Sequence, residues 1–220
     1  MIRKTLLLLM LLVGSYTAQS QYFGIQYKHY NPTGDFDYNV NSAVNGFSLN
    51  YLHDLKESRW TLGGEFGIAM YANENFDYQV SPGNIVELHE EDCFWTLHAE
   101  ARYNVLDQSL VKTYLTGRMG ITTFFSSITP VEEGDYDSNT EFHGTAFNAG
   151  LGVGAMLNLY KVFTGVEGPL YLDTGVNFHS GSKASYRYTP ETQNTLNLED
   201  GKYYSLTNYM DIRVGLLFGF

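Results

Sequence analysis

Residues Leu206 to Phe220, which read LTNYMDIRVGLLFGF, decide the fold of this chain. Apolar side chains recur at every second position, which is the period of a β-strand and not of a helix. Seven of the eight residues on one face are apolar; that face consists of Leu206, Asn208, Met210, Ile212, Val214, Leu216, Phe218 and Phe220. The opposite face carries Asp211 and Arg213. A tilted strand of about ten residues can cross a bilayer, so we predict a membrane-spanning strand here.

The same alternation recurs seven more times along the chain. We expect strands at about 22–28, 46–53, 60–70, 93–105, 114–125, 142–159, 170–179 and 206–220. The residues between them form connections that are long, short, long, short, long, intermediate and long, which is typical of transmembrane barrels. Asn31 to Gly34 should end the first strand, the polar stretches 71–91 and 180–202 should be loops, and no segment requires a helix. The prediction is an all-β, eight-stranded, antiparallel up-and-down transmembrane β-barrel with both termini at the periplasmic end.

Composition decides which face of the predicted barrel meets lipid. Eight charged residues fall on the polar face, four bases and four acids: Lys28, Glu65, Glu100, Arg102, Arg118, Asp173, Asp211 and Arg213. A base on a lipid face costs about 2–4 kcal/mol at the midplane, so these side chains belong in the lumen. Side chains fill the interior of an eight-stranded barrel, and we therefore predict a structural ion-pair network. A soluble barrel such as a lipocalin, with the faces exchanged, is the alternative.

The amino terminus has the composition of an export signal. Arg3 and Lys4 precede an apolar stretch, 5–13, which is followed by Ala18-Gln19-Ser20. This order of charged, apolar and small residues is typical of a secretory signal peptide. We predict a signal peptide at residues 1–20 and a β-barrel domain at residues 21–220. The apolar stretch is too short to span a membrane as a helix.

Charge and cysteine content exclude several classes of function. Residues 1–20 contain two of the 13 Lys and Arg and none of the 24 Asp and Glu, so residues 21–220 carry a net charge of −13 with histidine neutral. A chain this acidic is not expected to bind nucleic acid. Cys93 is the only cysteine, which excludes an intramolecular disulfide and a thiolate cluster for a metal. The sequence predicts no cofactor.

The signal, the hairpin rhythm and the terminal Leu216-Leu217-Phe218-Gly219-Phe220 resemble the small eight-stranded outer-membrane β-barrel proteins of Gram-negative bacteria, the family of the OmpA transmembrane domain and OmpX-like proteins. The resemblance covers residues 22–220 and implies a monomeric, porin-like outer-membrane protein in contact with lipid and lipopolysaccharide. A terminal aromatic in this family implies recognition by the outer-membrane assembly machinery, a role that falls on Phe220. The abundant Asn and Tyr are also similar to barrel proteins of Bacteroidota.

Catalytic and metal motifs are weak in this sequence. Barrels that deacylate lipid A carry a serine and a histidine at the rim, and the nearest match, His179-Ser180-Gly181-Ser182, has the wrong spacing. Two acidic stretches, 73–92 and 128–141, contain six and five acids and neither Lys nor Arg. Oxygen ligands suit calcium, which leaves open a divalent cation at Asp135, Asp137, Asn139 and Glu141, although their spacing departs from the helix-loop-helix pattern.

The sequence therefore favours an outer-membrane protein without catalytic activity. Its role would be structural, or a surface interaction with an extracellular protein through the acidic loops. Three alternatives stay open: a narrow pore gated by the lumen charges, an outer-membrane component of a secretion or assembly system, and an enzyme that modifies lipid A.

Overall fold

The computed structural model describes residues 21–40, 43–81, 84–131, 140–187 and 202–220. The predicted signal peptide, residues 1–20, lies outside them. In chain order the elements are β1 (Gln21–Thr33), α1 (Asp35–Val40), β2 (Val44–Asp54), β3 (Trp60–Ser81), β4 (Asn84–Asp107), β5 (Val111–Pro130), β6 (Thr140–Asn158), α2 (Leu159–Thr164), β7 (Leu170–Gly181), β8 (Lys183–Arg187), β9 (Lys202–Leu206) and β10 (Asn208–Gly219).

Eight of these strands form one closed antiparallel barrel, which confirms the predicted fold. Strands β1 to β6 each pair with the next strand along the chain, and β10 joins β7 to β1. Across the closing seam Tyr22 lies opposite Gly219 and Lys28 lies opposite Arg213. Closure gives every strand a hydrogen-bonded neighbour on both sides within the barrel wall, which is the condition for a sheet that crosses hydrocarbon.

The first and last described residues, Gln21 and Phe220, lie at the same end of the barrel, as the even strand count predicts. Gln21 and Phe220 exchange backbone hydrogen bonds of 3.2 and 2.9 Å there. This end also carries the short connections 55–59 and 108–110 and the helix α2, and we call it the turn end. The opposite end carries the other connections and is called the loop end.

The alternation places apolar side chains outside the barrel and charged side chains inside. On the outer face, Leu151 is 76% exposed and Ile68 is 54% exposed. Aromatic side chains mark both margins of this face: the Trp60 and Tyr103 rings lie 5.1 Å apart near the turn end, and Trp95 lies near the loop end. Aromatic belts of this kind sit at membrane interfaces. Residues 60–70 of β3 span about 24 Å of height at the tilt usual for such barrels.

The prediction of a loop at 71–91 was wrong. Strands β3 and β4 stay paired beyond the end of β2, from Ala72 with Asp92 to Ser81 with Asn84, after a register shift next to Met70. β5 and β6 also continue, to Ile128 with Thr140. These extensions form a wall at the loop end, made of 71–81, 84–92, 124–130 and 140–147, which we call the loop-end wall. Beyond the apolar outer band neither face of a strand must be apolar, so these extensions lack the alternation that indicates a strand in sequence.

The first strand ends at Thr33, within the predicted break at Asn31–Gly34, whereas the expectation of a loop throughout 180–202 was wrong. β1 runs through Pro32, which pairs with Tyr209 of β10. On the side of β2 the pairing has already ended at Tyr30 with Val44. Proline lacks a backbone N–H, but no hydrogen bond of the β1–β2 ladder is lost there. The predicted loop 180–202 contains β8 and the first residue of β9, and these two strands pair as a separate two-stranded sheet. We call this sheet the loop-end hairpin.

Two short helices occur where none was expected. α2 begins after Asn158, whose side chain accepts a hydrogen bond from the Lys161 backbone, and it ends at Gly165 with a left-handed φ of 75°. α1 has Phe36 and Val40 buried. Six residues are too few for helical periodicity to show in a sequence. In the described residues, no helix is long and apolar enough to cross a membrane.

Candidate functional site

The eight charged residues predicted for the lumen all lie inside the barrel, where each is at most 4% exposed. We call them the lumen charge cluster: Lys28, Glu65, Glu100, Arg102, Arg118, Asp173, Asp211 and Arg213. Each of the eight has an opposite charge within 4.0 Å. Strands bring them together because every second residue points inward, and the register sets Glu100 directly opposite Arg118.

The half of the cluster nearer the loop end is centred on Glu65. Lys28 donates a hydrogen bond to Glu65, and the Arg118 guanidinium contacts both carboxylate oxygens of Glu65, at 3.1 and 3.0 Å. Asp211 lies beside them, with its Oδ2 2.7 Å from His179 Nε2 and 3.8 Å from Arg118 Nη1. Two carboxylates therefore share two cations and a histidine.

The half nearer the turn end is centred on Glu100 and Asp173. Arg102 Nε donates to Glu100 Oε1 over 2.7 Å, and Arg102 Nη2 donates to Asp173 Oδ2 over 3.0 Å. Arg118 Nη2 lies 2.9 Å from Glu100 Oε2 and Arg213 Nη2 lies 3.5 Å from Glu100 Oε1. Arg118 contacts acids of both halves, so the cluster is one continuous network.

Neutral side chains complete this network, and the sequence did not single them out. The Tyr114 hydroxyl donates to Asp173 over 2.5 Å and accepts from Arg213 over 3.0 Å, while the Arg102 guanidinium lies 4.3 Å from the centre of the Tyr114 ring. Gln26 donates to Asp173 over 2.6 Å. The only sequence signal for either residue is its inward position on a strand. Which inward residues contact each other depends on the register between strands, and the alternation does not give that register.

Apolar clusters lie on both sides of the charges. At the loop end, buried aromatic side chains pack together, with Phe36 and Tyr71 edge to face on Phe124. We call them the loop-end aromatic cluster: Tyr30, Phe36, Tyr71, Phe94, Phe124, Tyr186 and Tyr209. At the turn end a smaller cluster contains Tyr22, Leu52, Tyr114, Met156, Tyr171 and Leu217. The lumen charge cluster is therefore enclosed between two packed layers.

The loop-end hairpin is fixed onto the loop-end wall by polar contacts. Arg187 Nε donates to Glu90 Oε1 over 2.5 Å, and both side chains are buried. On the other face of the hairpin, the Tyr186 hydroxyl lies 2.7 Å from Ser205 Oγ and accepts from Asn39 over 2.7 Å. Burial raises the pKa of the Tyr186 hydroxyl above its usual value, so it stays protonated as a hydrogen-bonding group.

The histidine and serines of the lipid A motif do not come together. His179 is buried in the lumen, where its ring stacks on Tyr209 with centroids 4.5 Å apart. Ser180 follows on the same strand and is exposed on the outside. Ser182 Oγ accepts a hydrogen bond from the Phe147 backbone over 2.9 Å. A serine nucleophile needs a general base within hydrogen-bonding reach. This segment does not place its histidine within reach of its serines.

Metal ligands do not gather in the parts of the chain that the structure describes. In those ranges, no group of three or more His, Cys, Asp or Glu side chains could hold a metal ion. Of the residues suggested for a divalent cation, Asp135, Asp137 and Asn139 lie outside the described residues, as does the Glu141 side chain.

The sequence and the fold of this chain can be compared with those of known proteins. No protein-family model matches the chain, and no curated protein matches it in sequence. Solved structures do match. A major outer membrane protein from Thermus thermophilus has a TM-score of 0.56 at 13% identity, over 91% of this chain and 99% of that one. Neisserial surface protein A has a TM-score of 0.54 at 14% identity, over 91% and 97%.

A third structure, the attachment invasion locus protein Ail of Yersinia pestis, has a TM-score of 0.51 at 12% identity, over 93% of this chain and all of that one. At these identities the similarity concerns the fold. The chain has the fold of the small eight-stranded outer-membrane β-barrels, and the resemblance drawn from the sequence is confirmed at that level. The similarity to Bacteroidota proteins stays a prediction.

Proposed function

We propose that this chain is an integral outer-membrane barrel that acts at the cell surface, through contacts made by its loop end, and that it has no catalytic activity. The observation that carries the proposal is the distribution of polarity: the outer face is apolar around the whole barrel, whereas the lumen holds eight charges. A soluble barrel would need the reverse. An exposed apolar face this extensive is not stable in water, and it matches the lipid face of a membrane barrel.

The lumen charge cluster serves as a structural core in this proposal. Four acids and four bases balance in charge, and each is paired. Charged side chains tolerate burial only when they are paired and hydrogen-bonded. Once paired, they hold the strands that carry them in one arrangement. The apolar clusters at both ends of the lumen support this role over that of a narrow pore.

The loop end supplies the surface for interaction. The loop-end wall extends the barrel beyond the lipid face, and its outer side exposes Asp77, Glu87 and Glu91. An acidic surface of this kind favours a basic extracellular protein as partner. Paired strands present contacts with a smaller entropy cost on binding than unpaired loops do.

Export and assembly follow from the ends of the chain. We propose that residues 1–20 direct secretion and are removed, and that the barrel contacts lipid and lipopolysaccharide. Phe220 is 71% exposed at the turn end, which is compatible with recognition by the assembly machinery before insertion.

Surface labelling of intact cells tests the proposed orientation. An epitope tag is inserted at residues 132–139, in the β5–β6 connection at the loop end, and a matched tag at 108–110, in the β4–β5 connection at the turn end. Intact cells should bind antibody only through the first tag, and both tags should react after lysis. Labelling of the second tag alone on intact cells would reverse the orientation, and two inaccessible tags in a soluble fraction would overturn the proposal.

Conductance separates a structural lumen from a pore. Planar bilayers that contain the purified barrel should show no stepwise current, because paired charges and two packed layers fill the lumen. Steady channels that change in size with Arg118→Ala would instead favour the narrow pore.

A further inference from the structure

An exposed apolar surface lies at the turn end, on α2 and the residues beside it. We call it the turn-end apolar patch, and it consists of Leu110, Tyr160, Val162, Phe163 and Val166, which are 43–81% exposed. Phe163, at 81%, is more exposed than any side chain in the middle of the outer face that has been described above. Exposed apolar surfaces that are contiguous mark contacts with a membrane or with another protein.

The connection between β2 and β3, at the same end of the barrel, has the opposite character. Its residues 55–59 are all exposed, and three of the five are charged: Lys56, Glu57 and Arg59. A connection at the turn end can therefore be polar and lie in water. The only charged residue within α2 is Lys161, whose ammonium group donates a hydrogen bond to Ser109 in the neighbouring connection. The exposed face of α2 is left to apolar side chains.

Contacts at both of its ends hold α2 in a fixed position. The Asn158 side chain accepts a hydrogen bond from the Lys161 backbone over 2.9 Å and donates one to the Gly168 backbone over 3.1 Å. The Tyr160 ring lies where a Cβ on residue 168 would be, so glycine there permits the ring to pack on the start of the next strand. A surface that is already ordered loses less entropy when it binds.

The patch continues the apolar outer face of the barrel. The outward residues of β6 include Leu151 and Leu157, and the alternation brings Leu159, the first residue of α2, to the same side. Each residue of a helix is turned by about 100° from the one before it. Leu159 and Phe163 are each two positions from Lys161, so both lie on the helix face opposite the lysine. The outward apolar row of β6 therefore passes onto α2.

We propose that α2 lies in the interface of the periplasmic leaflet and that phospholipid covers the turn-end apolar patch. Val162 and Phe163 reach the boundary between headgroups and acyl chains, and Lys161 stays on the side of the protein. Interfacial helices bury their apolar face about 5–10 Å into this boundary, and aromatic rings such as that of Tyr160 are common there. The inference rests on the proposed function, because α2 meets this leaflet only if the outer face meets lipid and the turn end faces the periplasm.

Spin labels test where the patch lies. Cys93, the only cysteine, is replaced by serine, and one labelled cysteine is introduced into the full barrel in phosphatidylcholine nanodiscs. Phe163→Cys probes the patch, Leu151→Cys is the control on the outer face, and Lys56→Cys is the control in the polar connection. Electron paramagnetic resonance measures collisions of each label with oxygen, which concentrates in lipid, and with a nickel chelate, which stays in water.

The ratio of oxygen collisions to nickel collisions reports the surroundings of each label. At residue 163 this ratio should be about threefold higher than at residue 56, or more, because the apolar face of an interfacial helix lies below the headgroups. Equal ratios at 163 and 56 would overturn the inference, since the patch would then lie in water and be open to a periplasmic protein. Dipolar broadening between labels at 163, with loss of oxygen contact, would also overturn it, because a second copy would then cover the patch.

Tryptophan fluorescence repeats the test with an aromatic side chain in place of the native one. Trp60 and Trp95 are the only tryptophans; both are replaced by phenylalanine, and Phe163→Trp then places a single fluorophore in the patch. Phospholipid brominated on its acyl chains should quench this tryptophan about twofold more than Lys56→Trp in the same background. Equal quenching at the two positions would contradict the assignment. Every variant must keep the altered mobility of the unboiled barrel, so that a folding defect is not mistaken for a change of surroundings.

The control at residue 151 separates this inference from the proposed function. If the label at 151 lies in lipid and the label at 163 lies in water, the outer face crosses the bilayer as proposed and only the role of α2 fails. If the label at 151 collides with nickel as often as the label at 56, the proposed function fails, whatever the result at 163. The tag at 108–110, next to α2, decides the leaflet: its exposure on intact cells would overturn the assignment to the periplasmic leaflet.

Discussion

Two buried regions of this protein hold charge in different ways. The lumen charge cluster contains eight charges, drawn from six strands and joined by contacts that pass through Arg118. Among its described residues, the loop end contains a buried pair, Arg187 with Glu90, beside a packed aromatic cluster. In the lumen the ion pairs take the place of a hydrophobic core, because the apolar residues of these strands face outward. At the loop end an apolar core exists, and the Arg187–Glu90 pair fastens a hairpin onto it.

This contrast predicts the largest effect for Arg118→Ala. The change leaves Glu65, Glu100 and Asp211 with fewer cations in a buried site, and breaking a buried network in this way typically costs about 3–5 kcal/mol of folding free energy. Guanidinium unfolding in phospholipid vesicles, followed by tryptophan fluorescence, measures the loss. Lys56→Ala is the matched control, because Lys56 is exposed in a connection at the turn end; it should cost about 0.5 kcal/mol or less. Equal losses in the two variants would remove the distinction between lumen and surface charges.

A smaller and local effect is expected for Arg187→Ala. Without its contact to Glu90 the loop-end hairpin should open more often, while the barrel strands stay paired, since proteins open in separate cooperative units. Hydrogen exchange at 183–187 and 202–206 should become about tenfold faster or more, with little change in β1 and β10. If exchange rises equally in the barrel strands, the hairpin and the barrel form one cooperative unit and the comparison fails.

The smallest effect is expected for Tyr186→Phe. This change removes the hydroxyl that contacts Ser205 and Asn39 but keeps the ring against Phe36 and Phe124. Hydrogen bonds of this kind contribute about 0.5–1.5 kcal/mol, so hairpin exchange should rise less than in Arg187→Ala. Tyr203→Phe on the same hairpin is a matched control. A larger effect than in Arg187→Ala would make the hydroxyl, and not the ion pair, the main fastening of the hairpin.

The two regions also differ in how far sequence could predict them. In the barrel wall, an apolar outer face and a filled polar lumen require the alternation, so β10 and the inward positions of Lys28 and Arg118 could be predicted from the sequence. In the extensions at the loop end that requirement ends. The acids at 87–92 look like a loop, and nothing in their pattern indicates that β4 continues.

Contacts between residues far apart in the sequence are the other feature that the sequence could not predict. Glu90 and Arg187 are 97 positions apart, and Tyr114 and Asp173 are 59 apart. Alternation gives the face of a strand on which each residue lies, but the height at which two strands meet depends on the register. α1 and β8 are six and five residues long, and packing on the loop-end aromatic cluster, not local pattern, sets their structure.

The most direct test of the central claim is a gel of the isolated outer-membrane fraction, run with boiled and unboiled samples side by side. A closed barrel that resists detergent migrates faster until boiling unfolds it. The account predicts that the protein is found in this fraction and that its unboiled band runs ahead of the boiled one. Recovery of the protein in the soluble periplasmic fraction, with the same mobility in both samples, would contradict the account, because the apolar face would then have to lie inside.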